Sequence, residues 1–239
     1  MLKLENCTVR NGAFTLRADF EVKAGESVSV LGPSGSGKST LLEAVAGFLP
    51  LAEGRILLNN ADIGDSHPGK RSVAALFQDG NLFDHLNVLQ NAGLGLRPDL
   101  RLSNEDRDRI HAALERVDLK GLGSRRPSEL SGGQRSRAAL ARVVLQRREL
   151  LLLDEPFAAL GPGMRAQMLD LVLELSREVG STMLVVSHAM EDARRINGRS
   201  ILVVEGMARA PESTERLLKN PPPALRDYIG PNFQNKTVT

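Results

Sequence analysis

The run Gly32-Pro33-Ser34-Gly35-Ser36-Gly37-Lys38-Ser39-Thr40 constrains this chain more than any other stretch. It fits G-x-x-x-x-G-K-[ST], with the apolar run Val28–Leu31 before it and helically spaced Leu41, Leu42, Val45 and Ala46 after it. Gly47 reads as the helix stop. A turn of small residues ahead of any helix would look the same locally. A buried strand on one side and a helix on the other make it a phosphate cradle. Gly35 and Gly37 remove side chains where backbone N–H groups must wrap an anion. The helix N-terminus adds partial positive charge, worth about 0.3–1 kcal/mol per anionic group. In this pattern Lys38 neutralises the β- and γ-phosphates, Ser39 ligates Mg²⁺ and Thr40 supplies a second hydroxyl. Gly32, Pro33, Ser34 and Ser36 complete the expected nucleotide loop.

The rest of the pattern is α/β. Phe14, Leu16, Ala18, Phe20 and Val22 alternate with polar neighbours, as in a half-buried strand. Ile56–Leu58, Val73–Phe77, Leu150–Leu153, Met183–Val186 and Ser200–Val204 read as further strands. Ser103 and Asp106 form a capping box ahead of Ile110, Leu114 and Val117 at helical spacing. Met164, Met168, Leu171, Leu175 and Val179 mark one face of a helix ended by Gly180. Strands alternating with helices predict a largely parallel sheet with crossovers, and 86–148 reads as a helical insertion into it. Pro221-Pro222-Pro223 stiffens a tail whose last residues, Asn232–Thr239, are expected to fray.

Composition narrows the function classes. The single cysteine, Cys7, excludes an internal disulfide and fits a reducing compartment. No apolar run approaches the roughly 18–20 residues that span a bilayer. The 31 basic and 29 acidic residues leave a net charge of +2, which gives no electrostatic argument for nucleic acid. Seven Phe, one Tyr and no Trp argue against a stacking-rich binder of sugars or single strands.

Two further motifs decide among phosphate-loop enzymes. Leu150–Leu153 runs into Asp154 and Glu155. Asp154 at the strand tip can join the Mg²⁺ shell, and Glu155, one residue on, is placed to polarise a water for in-line attack on the γ-phosphate. Leu130-Ser131-Gly132-Gly133-Gln134 reads as a second anion nest. Ser131 is a hydroxyl donor and N-cap, and two glycines expose N–H groups ahead of a long basic helix. One nucleotide has one triphosphate, so the second nest reads as serving a nucleotide held by another copy.

With these motifs the chain resembles the ATP-binding cassette family over nearly its whole length. Leu130–Gln134 is similar to the family's signature motif and stands twenty residues ahead of Asp154, in the family's order and spacing. Gln78, forty residues after Lys38, resembles the glutamine that touches Mg²⁺ or the attacking water. His188 resembles the switch histidine that contacts the γ-phosphate, whereas His67, His85 and His111 read as ordinary polar residues. The resemblance implies a phosphate-loop fold whose mixed-sheet core, with antiparallel N-terminal strands, covers about 1–85 and 149–220. A helical subdomain over about 86–148 and a tail over about 221–239 complete it. It implies ATP and Mg²⁺ as ligands, and Ser39, Gln78 and Asp154 around the metal. It further implies a head-to-tail homodimer, integral-membrane permease subunits on which the helical insertion docks, and a periplasmic solute-binding protein. No nucleic-acid partner is expected. The place implied is the cytoplasmic face of a bacterial inner membrane, peripherally bound. DNA-repair cassettes carry long coiled-coil insertions, translation cassettes come two per chain, and a soluble kinase has no use for a signature motif.

The segment from Leu76 through Asn81-Leu82-Phe83 to Gln90-Asn91-Ala92-Gly93-Leu94-Gly95-Leu96 is similar to importer cassettes for iron, sulfate, polyamines and thiamine. The chain runs only about thirty residues past its last expected strand, which reads as lacking the regulatory domain that many of these carry. With Ala46–Leu49, these features resemble the ATP-binding subunits of thiamine importers most. Two departures stand out. Gly161 occupies the place of an aspartate that couples the two sites in the family, which implies altered cooperativity. Asn11-Gly12 stands where an aromatic residue commonly stacks on adenine, and Phe14 nearby fits the buried strand pattern. Base–aromatic stacking is worth about 1–3 kcal/mol. Asn11→Tyr is therefore expected to lower the ATP dissociation constant by about five- to a hundredfold. Isothermal titration checks this, and an unchanged constant would rule it out.

Overall fold

The computed structural model describes residues 1–77 and 82–229. Gln78 and the Asn232–Thr239 tail fall outside them. In chain order the elements are strands β1 (Leu2–Asn11), β2 (Phe14–Val22) and β3 (Ser27–Leu31), helix α1 (Lys38–Ala46), and strands β4 (Leu51–Leu58), β5 (Ala61–Asp62) and β6 (Val73–Leu76). Helices α2 (Val88–Gly93), α3 (Asn104–Arg116) and α4 (Gly132–Leu145) follow, then β7 (Leu150–Asp154) and α5 (Pro162–Val179). The chain closes with β8 (Thr182–Val186), α6 (Met190–Ile196), β9 (Arg199–Val204), β10 (Met207–Ala208), β11 (Glu212–Ser213), α7 (Thr214–Lys219) and α8 (Pro223–Ile229). Two compact units emerge: Met1–Val73 with the chain from Thr182 onward, and Ala74–Ser181.

The first unit carries a mixed sheet in the order β5-β4-β1-β2-β10-β9-β3-β8, with β11 on β9. β1, β2, β4 and β5 pair antiparallel, whereas β3 lies parallel to both β8 and β9. The expected mixed core with antiparallel N-terminal strands is therefore what the chain builds. Flanked on both sides, β3 buries Val28 to Leu31, so it reads as an unbroken apolar run instead of an alternating one. A two-pronged pair from Arg199 to Glu26 ties the starts of β9 and β3 together and holds the Glu26 carboxyl below its ordinary range. β4 starts at Leu51, earlier than the apolar signal at Ile56, because its first residues are mostly exposed. Gly54, at φ +85°, lets that extension cross β1. A Cβ there would lie 2.4 Å from the Asn6 carbonyl oxygen.

In the second unit β6 and β7 are neighbours, and every residue of β7 is buried. Three helices open with complete capping boxes: Asn87 with Gln90, Ser103 with Asp106, and Ser131 with Gln134. The fully buried Asn91 stitches the 83–87 segment to α2, accepting from Phe83 N and donating to the carbonyls of Phe83, Leu86 and Asn87. α5 ends at Gly180 in the left-handed conformation, as expected. It buries Met168, Leu169, Val172, Leu173, Leu175 and Ser176. Met164, Leu171 and Val179 lie only half-buried, since the covered stripe pairs 168-172-175 with 169-173-176.

One residue of the first unit was invisible to sequence patterning. Arg71 is buried, and its guanidinium donates to the carbonyls of Ala44, Val45, Gly64 and Ser66 at 2.7–3.1 Å. Two of these, Ala44 and Val45, lie in the last turn of α1, where a cation also complements the helix dipole. Gly47 makes room, because a Cβ there would meet Arg71 Nε at 2.5 Å. Arg71→Met keeps the stem but strands the carbonyls. It is expected to lower stability by about 3 kcal/mol in urea unfolding, since hydrogen bonds to a buried charge are worth roughly 1.5–3 kcal/mol each.

Candidate functional site

The loop expected to hold phosphate leaves the carboxyl end of β3 and closes on α1. Gly32 has φ +151°, and a Cβ on it would sit 2.0 Å from the Val203 carbonyl oxygen, so no side chain fits. Gly35 and Gly37 take φ +74° and +107°, and Gly37 is the N-cap of α1 with no side-chain cap. Lys38 opens the helix, is only 6% exposed, and donates from Nζ to the carbonyls of Gly32 and Pro33 at 2.8 and 2.7 Å. The ammonium is thus folded over its own loop. Ser36 Oγ is buried and has no hydrogen-bond partner among the described residues. Ser39 is exposed in the first turn, and Thr40 is half-buried behind it. A buried cation, an orphan hydroxyl and a bare helix N-terminus together fit a polyphosphate.

His188 belongs to the same edge. β3 and β8 pair in parallel with Val30 opposite Val186, so Gly32 and His188 leave their strands at the same level. The carboxyl edge of parallel strands is where open α/β sheets bind ligands. The turn that carries His188 is pinned on both sides. Ser187 Oγ accepts from Ala189 N and donates to the buried Asp192 of α6. His188 itself is exposed, with Nδ1 2.6 Å from Tyr228 Oη.

In the second unit Asp154 closes β7 and is 3% exposed. Glu155 follows at φ +48°, a left-handed conformation that an L-residue with a long side chain rarely takes. Its carbonyl accepts from Ala158 N, starting the turn that leads to α5. This turn packs on the start of α4: Cβ atoms on Gly132 and Gly133 would lie 3.7 Å from Ala159 Cβ and 2.8 Å from Leu160 Cδ2. The nest reads as expected. Leu130 is buried, Ser131 Oγ accepts from Gln134 N, and Gln134 Oε1 accepts from Ser131 N. Because that hydroxyl oxygen is used as an acceptor, its proton stays available to an anion. Gly161 is the N-cap of α5, has no side-chain cap and borders open space.

The oxygen ligands expected for Mg²⁺ suit a hard cation. Among the described residues no three His, Cys, Asp or Glu side chains cluster as a dedicated metal cage. Sequence patterning missed the partner of His188. The one available signal was that Tyr228 is the sole tyrosine of the chain.

Residues 16–158 match the family described as ABC transporter. Over 231 residues the chain is 58% identical to the thiamine import ATP-binding protein ThiQ of Cereibacter sphaeroides, covering 97% of this chain and 100% of that protein. ThiQ of Ruegeria sp. is 56% identical over 230 residues, 96% of this chain and 100% of its own. Among solved structures, the dimeric ATP-binding cassette MJ0796, in a post-hydrolysis state bound to ADP and phosphate, superposes with a TM-score of 0.81 at 30% identity. That match covers 90% of this chain and 99% of the other. The ADP conformation of the cassette MJ1267 gives 0.83 at 27% identity, covering 96% and 98%.

The left-handed backbone at Glu155 carries strain that a glycine would not. Glu155→Gly and Glu155→Ala both delete the carboxylate, so their difference isolates the backbone. The glycine variant is expected to be more stable by about 1 kcal/mol in urea unfolding. Equal stabilities would remove the case for strain.

Proposed function

Because the chain belongs to the ABC transporter family, we propose that it is the ATP-hydrolysing subunit of a bacterial importer whose solute is thiamine. The observation that carries the solute is the 58% identity to a thiamine import ATP-binding protein along that protein's full length. The phosphate loop carries the ATPase reading, since its glycines, its buried lysine and its helix start fit a triphosphate.

ATP binding then exchanges partners. The ammonium of Lys38 leaves the carbonyls of Gly32 and Pro33 for the β- and γ-phosphate oxygens, while the orphan hydroxyl of Ser36 gains an acceptor. Loop N–H groups and the α1 dipole hold the remaining charge. Ser39, Asp154 and Gln78 are the residues that would hold Mg²⁺, which when bound would offset phosphate charge. Glu155 takes a proton from the attacking water, and His188 donates to a γ-phosphate oxygen. Ser131 to Gln134 serve the nucleotide of a second copy, so the working unit is a head-to-tail homodimer. Among the described residues no helix is long and apolar enough to cross a membrane. The pore therefore falls to integral-membrane permease subunits, supplied by a periplasmic solute-binding protein, with this chain bound peripherally at the cytoplasmic face.

Vesicles holding this subunit and its co-expressed permease, supplied with the solute-binding protein, are expected to take up labelled thiamine only when ATP is present on the cassette side. Uptake of iron, sulfate or a polyamine in its place would overturn the solute. Glu155→Gln is expected to cut ATP turnover and uptake by at least about a hundredfold while ATP still binds and dimers still form. Near-normal turnover in that variant would exclude Glu155 as the base.

A further inference from the structure

The expected stiff tail opens, from Pro223 to Ile229, as a helix. Pro223 opens α8, and Leu225 is fully buried in a cluster with Leu31, Met190, Ala193, Leu202, Leu217 and Leu218. Leu31 is the last residue of β3, immediately before Gly32, and Met190 opens α6, two residues after His188. Tyr228 and Ile229 pack against the same cluster. One apolar cluster thus joins the C-terminal helix to the segments that present the phosphate loop and the histidine. Tyr228 reaches out of it, with its Oη 2.6 Å from His188 Nδ1 and ring centroids 6.1 Å apart.

A neutral imidazole donates from one nitrogen and accepts at the other, so the partner of Nδ1 decides the chemistry of Nε2. If Tyr228 donates its phenolic proton to Nδ1, the imidazole proton sits on Nε2, where it can be given to an anion. The reverse bond leaves a lone pair on Nε2, which a phosphate oxygen repels. The phenol is the better donor of the two arrangements, and a phosphate oxygen can only accept. We propose that Tyr228 is a positioning residue that holds His188 as the Nε2–H tautomer, so that the C-terminal helix sets the rate of ATP hydrolysis through a single hydrogen bond. The inference rests on the reading of His188 as the γ-phosphate donor.

Long-range ¹H–¹⁵N spectra of the protein labelled at histidine nitrogen read the tautomer without any nucleotide. The chain has four histidines, and His188→Ala identifies the relevant signals by their loss. The wild type is expected to show His188 protonated on Nε2 alone. In Tyr228→Phe, which removes one oxygen from a half-buried ring, the two tautomers should mix. ATP turnover should fall about three- to tenfold, the worth of one hydrogen bond, with KM for ATP held within about twofold of wild type. Protonation on Nδ1 in the wild type, an unchanged tautomer in Tyr228→Phe, or unchanged turnover each overturns the proposal. His188→Ala separates the two levels. Wild-type turnover in that variant removes the γ-phosphate role itself, and with it the proposal. Lost turnover there with full turnover in Tyr228→Phe removes the tyrosine alone.

Discussion

The edge of the sheet where β3 ends sets the terms for everything around it. A strand buried between two parallel neighbours must there give way to a helix within six residues. The carbonyl of Val203 comes so close that any side chain at position 32 would collide with it. A second contact from below adds to this: the ring of Phe14 would meet a Cβ on Gly37 at 2.8 Å. Close packing therefore reserves positions 32 and 37 for glycine, and with Gly35 and Gly37 in left-handed conformations the loop leaves N–H groups and a helix end where an anion can sit. Shape and chemistry have one cause here.

At this edge the buried Lys38 donates to two loop carbonyls, which are uncharged acceptors. The charged oxygens of a triphosphate make stronger hydrogen bonds to an ammonium than carbonyls do. The other end of α1 is treated in the same way. Arg71 caps it with bonds to two of its carbonyls, and to those of Gly64 and Ser66 besides, while burial lowers the pKa of its guanidinium. α1 thus has a cation at each end, one fixed for structure and one able to exchange partners.

The parts of this architecture that were legible in the sequence are those in which a residue type answers a local demand. The alternation of Leu16, Ala18, Phe20 and Val22, the capping boxes at Ser103 and Ser131, and the stop at Gly180 depend on neighbours a few positions away. Contacts between distant segments left no such mark. Arg71 reaches back 26 and 27 residues to the end of α1, and Tyr228 lies 40 residues from His188. β4 was read short at its start because exposed residues paired over a glycine bulge carry no apolar signal. Pro221 to Pro223 read as stiffening a tail, yet proline also suits the first position of a helix, and α8 starts at Pro223 with Leu225 buried.

Phe14 shows how one of the departures from the family is absorbed. It is the aromatic residue nearest to the missing stacking position, and its ring is committed to packing. It lies against Gly37 at one side and within 3.6 Å of a Cβ site on Gly206 at the other, and Gly206 N in turn donates to the Ser36 carbonyl. The ring is the floor of the phosphate loop. A ring fixed in that way cannot swing out to cover a base without loosening the glycines that cradle the phosphates. In the proposed reading, binding energy that a cassette with an adenine-stacking residue draws from the base must come here from the triphosphate end. That places a premium on a rigid loop, and Phe14 and Gly206 are contacts that support it.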